Sequence, residues 1–314
     1  MQVLVTGGAG FIGSALARRL LTAGHRVIIV DDLSTGLREN IPSGATFLER
    51  DLTRPNALEA VPAEPVDAVC HLAAQSSGAV SEEDPLRDLQ VNALATLLLI
   101  RWCRTRQVPR FLYASSMAVY GEGIGDRAVT EDAVCVPKSH YGISKLTSEQ
   151  LLRLAARDGL SCTTFRMFSV YGPGQNLGNL KQGMVSIYLA YMLRGMPVPV
   201  TGSLERVRDF IYIDDMVDAW ERVLLQPRTA SPIYNLGRGV PVTVRELLAR
   251  LRSALELPDD YPVIEQPGSE ADQWGIVADT RLIREELGWQ PHTELGDGLK
   301  HMVEWAKAHV QVAP

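Results

Sequence analysis

Short apolar runs alternate with amphipathic stretches through the first two-thirds of the chain. The runs lie at Val3–Thr6, Arg26–Val30, Thr46–Leu48, Ala68–Leu72, Arg110–Ala114 and Cys162–Arg166. Apolar runs of this length predict strands covered on both faces, as in a parallel sheet. The stretches between them predict helices over Phe11–Ala23, about Leu86–Arg106 and Tyr141–Asp158, with Gly24 and Gly159 as stop signals. Strand–helix alternation predicts an α/β fold, a Rossmann-type doubly wound parallel sheet with right-handed crossovers. Ligands of such sheets bind beyond the carboxyl ends of the strands. Gly7 to Gly13, Asp31, Ser115, Ser116 and Ser169 fall there.

After Tyr171-Gly172-Pro173-Gly174 the rhythm changes. Helices are predicted over Gln182–Arg194, Val244–Leu255 and Arg281–Leu287. A strand and helix return at Asp209–Leu225, with Asp214-Asp215 as the N-cap. This pattern predicts a dinucleotide-binding portion, residues 1–172 plus about 208–237. A smaller α+β substrate-binding portion is predicted from about 173–207 and 238–314.

Composition narrows the function classes. The 314 residues are 46% hydrophobic and 22% charged, as in an ordinary globular protein. A net charge of −6 argues against nucleic acid as the main partner, since phosphate backbones attract basic faces. The richest apolar run, Leu94–Ile100, falls short of the ~20 residues of a membrane span and reads as a buried helix face. Cys70, Cys103, Cys135 and Cys162 show neither CxxC pairing nor metal-like spacing, so buried thiols and no metal site are expected. The chain opens on a strand, with no basic-then-apolar leader before it, and a cytoplasmic location is expected.

Gly7, Gly10 and Gly13 form GxxGxxG between a strand and a helix, with Phe11 and Ile12 beside them. Small residues there let backbone N–H groups and the helix dipole approach a pyrophosphate. Asp31 ends the next strand, where a carboxylate binds a ribose 2′-hydroxyl and repels a 2′-phosphate, favouring NAD over NADP. Arg38 nearby reads as a solvated loop residue. Asp51-Leu52 is placed to meet the adenine. Ala73 and Ala74 leave room for a cofactor, and His71 reads as a packed strand histidine.

Tyr141 and Lys145 are four apart on a predicted helix and share a face. A phenol ionises near pH ~10 and is a poor base until a neighbouring ammonium favours the phenolate. Ser116, at a strand end, would hydrogen-bond the reacting oxygen. Tyr141 is thus the candidate base, with Lys145 and Ser116 as its helpers.

These motifs resemble, nearly end to end, the NAD-dependent sugar-nucleotide epimerase/dehydratase family of extended short-chain dehydrogenases/reductases, and most of all its UDP-glucose 4-epimerases. GGAGFIG, Asp31, Asp51-Leu52, HLAAQ, Asn92, SSMAVYG, YGISK, VYGPGQ, RDFIYIDD, Tyr234-Asn235-Leu236-Gly237 and Leu287-Gly288-Trp289 stand in family order. The resemblance implies NAD as cofactor and a catalytic triad of Ser116, Tyr141 and Lys145. Asn92 would join the cofactor residues, and Ser169, Lys181, Arg208, Asp272 and Ile276 would meet a nucleotide sugar. Arg208 would take the diphosphate, to which a planar guanidinium is suited.

Dehydratases of the family follow the catalytic hydroxyl with an acidic pair; here Met117-Ala118 follows Ser116. The resemblance therefore implies 4-epimerisation of a UDP-hexose, with Ile276 leaving space for 2-acetamido sugars. The alternatives are an epimerase or 4-ketoreductase for a uronic acid or a TDP- or GDP-deoxysugar, and a silent NAD-binding regulator. Two positions depart from the family pattern: Ser169 replaces a usual Asn, and Ser269 a usual Arg. A homodimer is implied as well, pairing Leu94, Leu97, Leu98, Leu151 and Leu152 across a two-fold axis.

Overall fold

The structure is a computed structural model that describes residues 1–123, 127–226, 229–268 and 273–309. Six strands come first: β1 (Gln2–Thr6), β2 (Arg26–Asp31), β3 (Thr46–Glu49), β4 (Ala68–His71), β5 (Arg110–Ser116) and β6 (Ser161–Met167). They are followed by β7 (Ser169–Tyr171), β8 (Val198–Thr201), β9 (Val207–Arg208), β10 (Phe210–Tyr212), β11 (Ile233–Leu236), β12 (Val242–Thr243) and β13 (Val263–Gln266). The helices are α1 (Phe11–Thr22), α2 (Gly78–Glu83), α3 (Pro85–Leu89), α4 (Ala95–Thr105) and α5 (His140–Arg157). Later come α6 (Met184–Leu193), α7 (Ile213–Leu225), α8 (Val244–Leu255), α9 (Arg281–Leu287) and α10 (Leu295–His309).

Seven strands form one sheet in the order β3-β2-β1-β4-β5-β6-β11, and every pairing in it is parallel. This is a Rossmann-type α/β fold, whose strand order reverses between β1 and β4 and opens a crevice there. One face is covered by α1 and α7, which bury Leu16, Leu20, Trp220 and Val223. The other carries α4 and α5, which bury Leu99, Ile100, Leu152 and Ala155. The central strands are apolar on both faces for this reason: β1 reads Gln-Val-Leu-Val-Thr and is buried throughout. Beyond it, β7–β10, β9–β12 and β8–β13 are separate two-stranded ribbons.

Three local expectations change. The predicted helix Leu86–Arg106 is divided into α3, a π-helical turn Gln90–Leu94, and α4. Asp214 and Asp215 do not cap α7; Tyr212 stands at that position and both aspartates lie in the first turn. The Asp215 carboxylate instead accepts from the backbone N–H groups of His292 (3.1 Å) and Thr293 (2.9 Å), fastening the loop before α10. The run Leu94–Ile100 is buried only at Ala95, Thr96, Leu99 and Ile100, leaving Leu94 and Leu97 exposed. Among the described residues no helix is long and apolar enough to cross a membrane.

Candidate active site

The carboxyl ends of β1, β2, β4 and β5 open on a cavity of about 1350 Å³. Gly7, Gly10, Phe11, Ile12 and Gly13 line one wall. Gly7 takes φ +71°, and a Cβ on it would stand 2.6 Å from the Ala73 nitrogen. A Cβ on Gly13 would stand 2.1 Å from the Gly7 carbonyl oxygen. Two bare glycines thus let the amino end of α1 close against the β1 turn, and Gly10 leaves that end without a side-chain cap. Unpaired N–H groups at a positive dipole end fit an anionic pyrophosphate.

Asp31, at the end of β2, lines the same cavity, its carboxylate accepting from Ala9 N (3.0 Å) and Leu33 N (2.8 Å). Burial raises this carboxyl above its ordinary value, and those two N–H groups offset only part of the rise. Arg38 pairs with Glu49 and lies 5.3 Å from the Phe47 ring centroid, so its charge is held on the outer strand. Asp51 and Leu52 line the next part of the wall. Burial would raise the Asp51 carboxyl, but the Thr53 hydroxyl and N–H and the charge of Arg87 hold it below its ordinary value. Ala73 also lines the cavity, and its N–H donates to Thr6 Oγ1 at 3.2 Å. The glycine cradle and the carboxylate at the end of β2 together fit a dinucleotide with a free ribose 2′-hydroxyl.

Ser116, Tyr141 and Lys145 converge on the far half of the cavity. Ser116 ends β5, and its Oγ accepts from Ala118 N at 3.2 Å, starting the 3-10 turn Met117–Tyr120. Tyr141 stands in the first turn of α5, capped by Ser139, whose Oγ accepts from Gly142 N at 3.1 Å. Lys145, one turn on, is 2% exposed; its Nζ donates to the Ala114 carbonyl at 2.9 Å. It lies 5.8 Å from the Tyr141 ring centroid and 5.0 Å from that of Tyr113.

Burial pushes the Tyr141 phenol up to about 12, against a hydrogen bond with Ser116 that lowers it. Burial also brings the Lys145 ammonium down to about 7, against the charges of Asp88 and Glu149. Burial therefore pushes both groups toward their neutral forms.

The neighbouring serine has a different task. Ser115 Oγ donates to Glu149 Oε1 at 2.5 Å, and Glu149 is bound by Arg166 through Nε (3.1 Å) and Nη2 (2.8 Å). His71 is buried between the hydroxyls of Thr6 (2.7 Å) and Thr96 (3.0 Å), and burial lowers it to about 3, so it stays neutral. It is packed in the sheet, as its strand position implies.

At the substrate end, Ser169, Lys181 and Arg208 line the cavity with Met117, Ala118 and Phe168. Arg208 is 7% exposed and its Nη1 donates to the Val207 carbonyl at 2.8 Å. The Lys181 Nζ pairs with both carboxylate oxygens of Glu83 (2.8 and 2.9 Å).

Two expected site residues are placed elsewhere. Asn92 is buried in the π-helical turn behind the cavity wall, its Nδ2 within hydrogen-bond distance of Gln75 O, Asp88 Oδ1 and Ser144 Oγ. Ile276 is 2% exposed and packs with Val119, Tyr120, Val129 and Phe168 in a satellite core. Asp272 and Ser269 lie outside the described residues.

Sequence reasoning passes over Asp88, Glu149 and Arg166, the buried charges around the pair. Glu149 stands four residues after Lys145 and Asp88 four before Asn92, helical spacings that would have placed each beside a residue already singled out.

Comparison with known proteins agrees with this geometry. Residues 3–237 match the model of the NAD dependent epimerase/dehydratase family. The chain is 32% identical over 308 residues to a putative UDP-glucose 4-epimerase of Methanocaldococcus jannaschii, covering 98% of each. It is 33% identical over 312 residues to the UDP-glucose 4-epimerase of Mycolicibacterium smegmatis, covering 97% of this chain and 98% of that one. Among solved structures, the Thermotoga maritima UDP-glucose 4-epimerase with UDP-glucose superposes at TM-score 0.92 and 34% identity, covering 98% of this chain and 99% of that one. The Thermus thermophilus UDP-glucose 4-epimerase in complex with NAD gives TM-score 0.90 and 34% identity, covering 99% and 100%. With a matching family model over most of its length and the dinucleotide cradle in place, the chain belongs to the NAD dependent epimerase/dehydratase family, and its cofactor is NAD.

Proposed function

We propose that the protein interconverts UDP-hexoses by 4-epimerisation, UDP-glucose with UDP-galactose. One observation carries this within the family: Met117 and Ala118, which follow Ser116 on the cavity wall, have no proton to give or take. Expelling water from a sugar needs such a proton donor beside the catalytic hydroxyl. Without one, the chemistry stops at oxidation and reduction of a single carbon.

NAD held in the glycine cradle would supply the hydride acceptor and donor for the sugar carbon. Tyr141 takes the 4-hydroxyl proton, Ser116 holds that oxygen, and the charge of Lys145 favours the phenolate. Arg208 and Lys181 hold the diphosphate, Ser169 lies beside it, and the sugar itself is held loosely. The 4-keto sugar can then turn about its diphosphate link and present its other face, and Tyr141 gives the proton back. Gly7, Gly10, Gly13, Asp31, Asp51 and Leu52 keep the cofactor in place through the cycle. Residues 1–172 with 208–237 would form its binding portion, and the remainder the substrate portion.

The test is incubation of the purified protein with UDP-glucose, and separately with UDP-GlcNAc, with and without added NAD. Chromatographic appearance of UDP-galactose from UDP-glucose is expected. No conversion of either sugar, even with NAD present, would overturn the UDP-hexose assignment.

We also propose a homodimer through α3, α4 and α5. Leu86 (67% exposed), Leu94 and Leu97 line their outer surface, with Ile143 and Leu154 on α5. Leu152, expected in that contact, is buried within the subunit, and Leu98 and Leu151 are half-buried. A monomer in light scattering would refute the pairing.

A further inference from the structure

Lys145 is a buried cation with no carboxylate in ion-pair contact: the Ala114 carbonyl is the acceptor its Nζ meets among the described residues. Such an ammonium sheds its proton unless a negative charge stands nearby. The elements packed around it offer few such charges. From β4, His71 is neutral. From β5, burial raises the Tyr113 phenol and keeps it un-ionised. On α5 itself, Glu149 carries a charge, but Arg166 from β6 grips both its oxygens and Ser115 donates to one. That pair is closed on itself.

Asp88 of α3 is left. Its side chain is 0% exposed. Oδ1 accepts from Gln75 Nε2 at 2.8 Å and lies 3.1 Å from Asn92 Nδ2, whereas Oδ2 has no hydrogen-bond partner among the described residues. No cation among them is in ion-pair contact with it either. A carboxylate in this setting is as costly as the ammonium, and each offsets the cost of the other. Asn92 Nδ2 also lies 3.0 Å from Ser144 Oγ, and Ser144 directly precedes Lys145 on α5. The carboxylate is therefore tied to the helix that carries both Tyr141 and Lys145. Among the charges acting on Lys145, that of Asp88 is the largest favourable one and that of Glu149 comes second.

We propose that Asp88 is the counter-charge of Lys145, a positioning residue behind the cavity wall that keeps the buried ammonium charged beside Tyr141. The proposal rests on Tyr141 and Lys145 being the proton-transfer pair. It does not depend on which sugar is bound.

Each proton that leaves the Tyr141–Lys145 pair makes the pair more negative, and a fixed anion opposes each loss. Removing that anion by Asp88→Asn therefore moves both macroscopic ionisations of the pair to lower pH. A residue that only packed would change amplitudes and leave the positions alone.

The readout is the ultraviolet phenolate signal of the NAD-saturated protein, titrated with pH against the same protein carrying Tyr141→Phe, which isolates Tyr141 without any substrate. The pH dependence of kcat is measured beside it. In Asp88→Asn both midpoints are expected about one unit lower, with the limbs of the kcat profile moving in parallel and KM unchanged. Asp88→Ser serves as a second neutral variant, and Asp88→Glu, which keeps the charge, should return the midpoints toward wild type. Wild-type midpoints in the neutral variants would overturn the proposal, whatever the activity. If neither neutral variant folds, the wild-type protein decides: a protonated-carboxyl infrared band at neutral pH that Asp88→Glu displaces would show Asp88 uncharged and overturn the proposal, and the absence of such a band supports it. Activity retained by Tyr141→Phe would instead sink the underlying reading of the base.

Discussion

Replacing Glu149 with Gln changes one oxygen to an amide in the most deeply buried ion pair described. The Glu149 and Arg166 side chains are 2% and 5% exposed. The carboxylate accepts one hydrogen bond from Ser115 and two from Arg166. Gln can keep the Oε1 contacts, but its NH2 then faces Arg166 Nη2, donor against donor. Arg166 would also remain over the Tyr120 ring, 4.7 Å from its centroid, with its charge uncompensated. Breaking one side of a buried pair costs about 3–5 kcal/mol. For a chain of this size that should lower Tm by roughly 5–15 °C. Circular dichroism melts of wild type, Glu149→Gln, Arg166→Met and the double variant make a complete cycle. The double variant should be less destabilised than the sum of the singles by about 2 kcal/mol or more, because it leaves no orphaned charge. A single-variant loss under about 2 °C, or strict additivity, would refute the reasoning.

Other outcomes follow from the same geometry. Tyr141→Phe should cut kcat by about 10²–10⁴-fold in the chromatographic assay while the protein still retains NAD. Gly13→Ala places a methyl 2.1 Å from a carbonyl oxygen, so α1 must retreat and NAD should be lost on gel filtration; undiminished cofactor would contradict the cradle. Lys181→Ala removes an ion pair whose side chains are 59% and 60% exposed, so Tm should barely move. KM for the nucleotide sugar should rise several-fold if the lysine serves the diphosphate. Burial takes Lys145 from 10.5 to about 7 in the cofactor-free protein, so between those values the folded chain binds fewer protons than the unfolded one. Stability from this group then rises with pH across that window, and Lys145→Met should flatten the profile; equal slopes in calorimetry would count against its burial.

The sheet was legible because its strands are apolar on both faces, a pattern that neither surface helices nor half-exposed strands produce. The glycines and the Tyr141–Lys145 spacing were legible because their chemistry depends on neighbours along the chain. What escaped depends on contacts remote in sequence. The π-helical turn Gln90–Leu94 carries no pattern along the chain that separates it from the helices on either side. Ile276 looks like a wall residue until Phe168 and Tyr120 are packed over it. Helix α10 and strand β11 are held by partners far away, Leu295 and Leu299 in the main core and Ile233 to Leu236 against β6. Asp88 reads as one more charge on a polar helix face, and only the fold turns it inward.

Strand β11 bears on the order in which the protein can be made. Synthesis delivers β6 about 70 residues before the strand that covers its open edge. Until then the Ser161–Met167 backbone is an unpaired template for another chain. The late arrival also closes the site: Asn235 of β11 accepts the Tyr120 hydroxyl at 2.6 Å, and its Nδ2 donates to Val129 O at 2.8 Å, fastening the turn that follows Ser116. The last strand of the sheet thus also completes the proton-transfer centre. In the order of synthesis the residues of the cradle come before the strand that completes the proton-transfer centre, and over that interval the open edge of β6 is exposed to other chains.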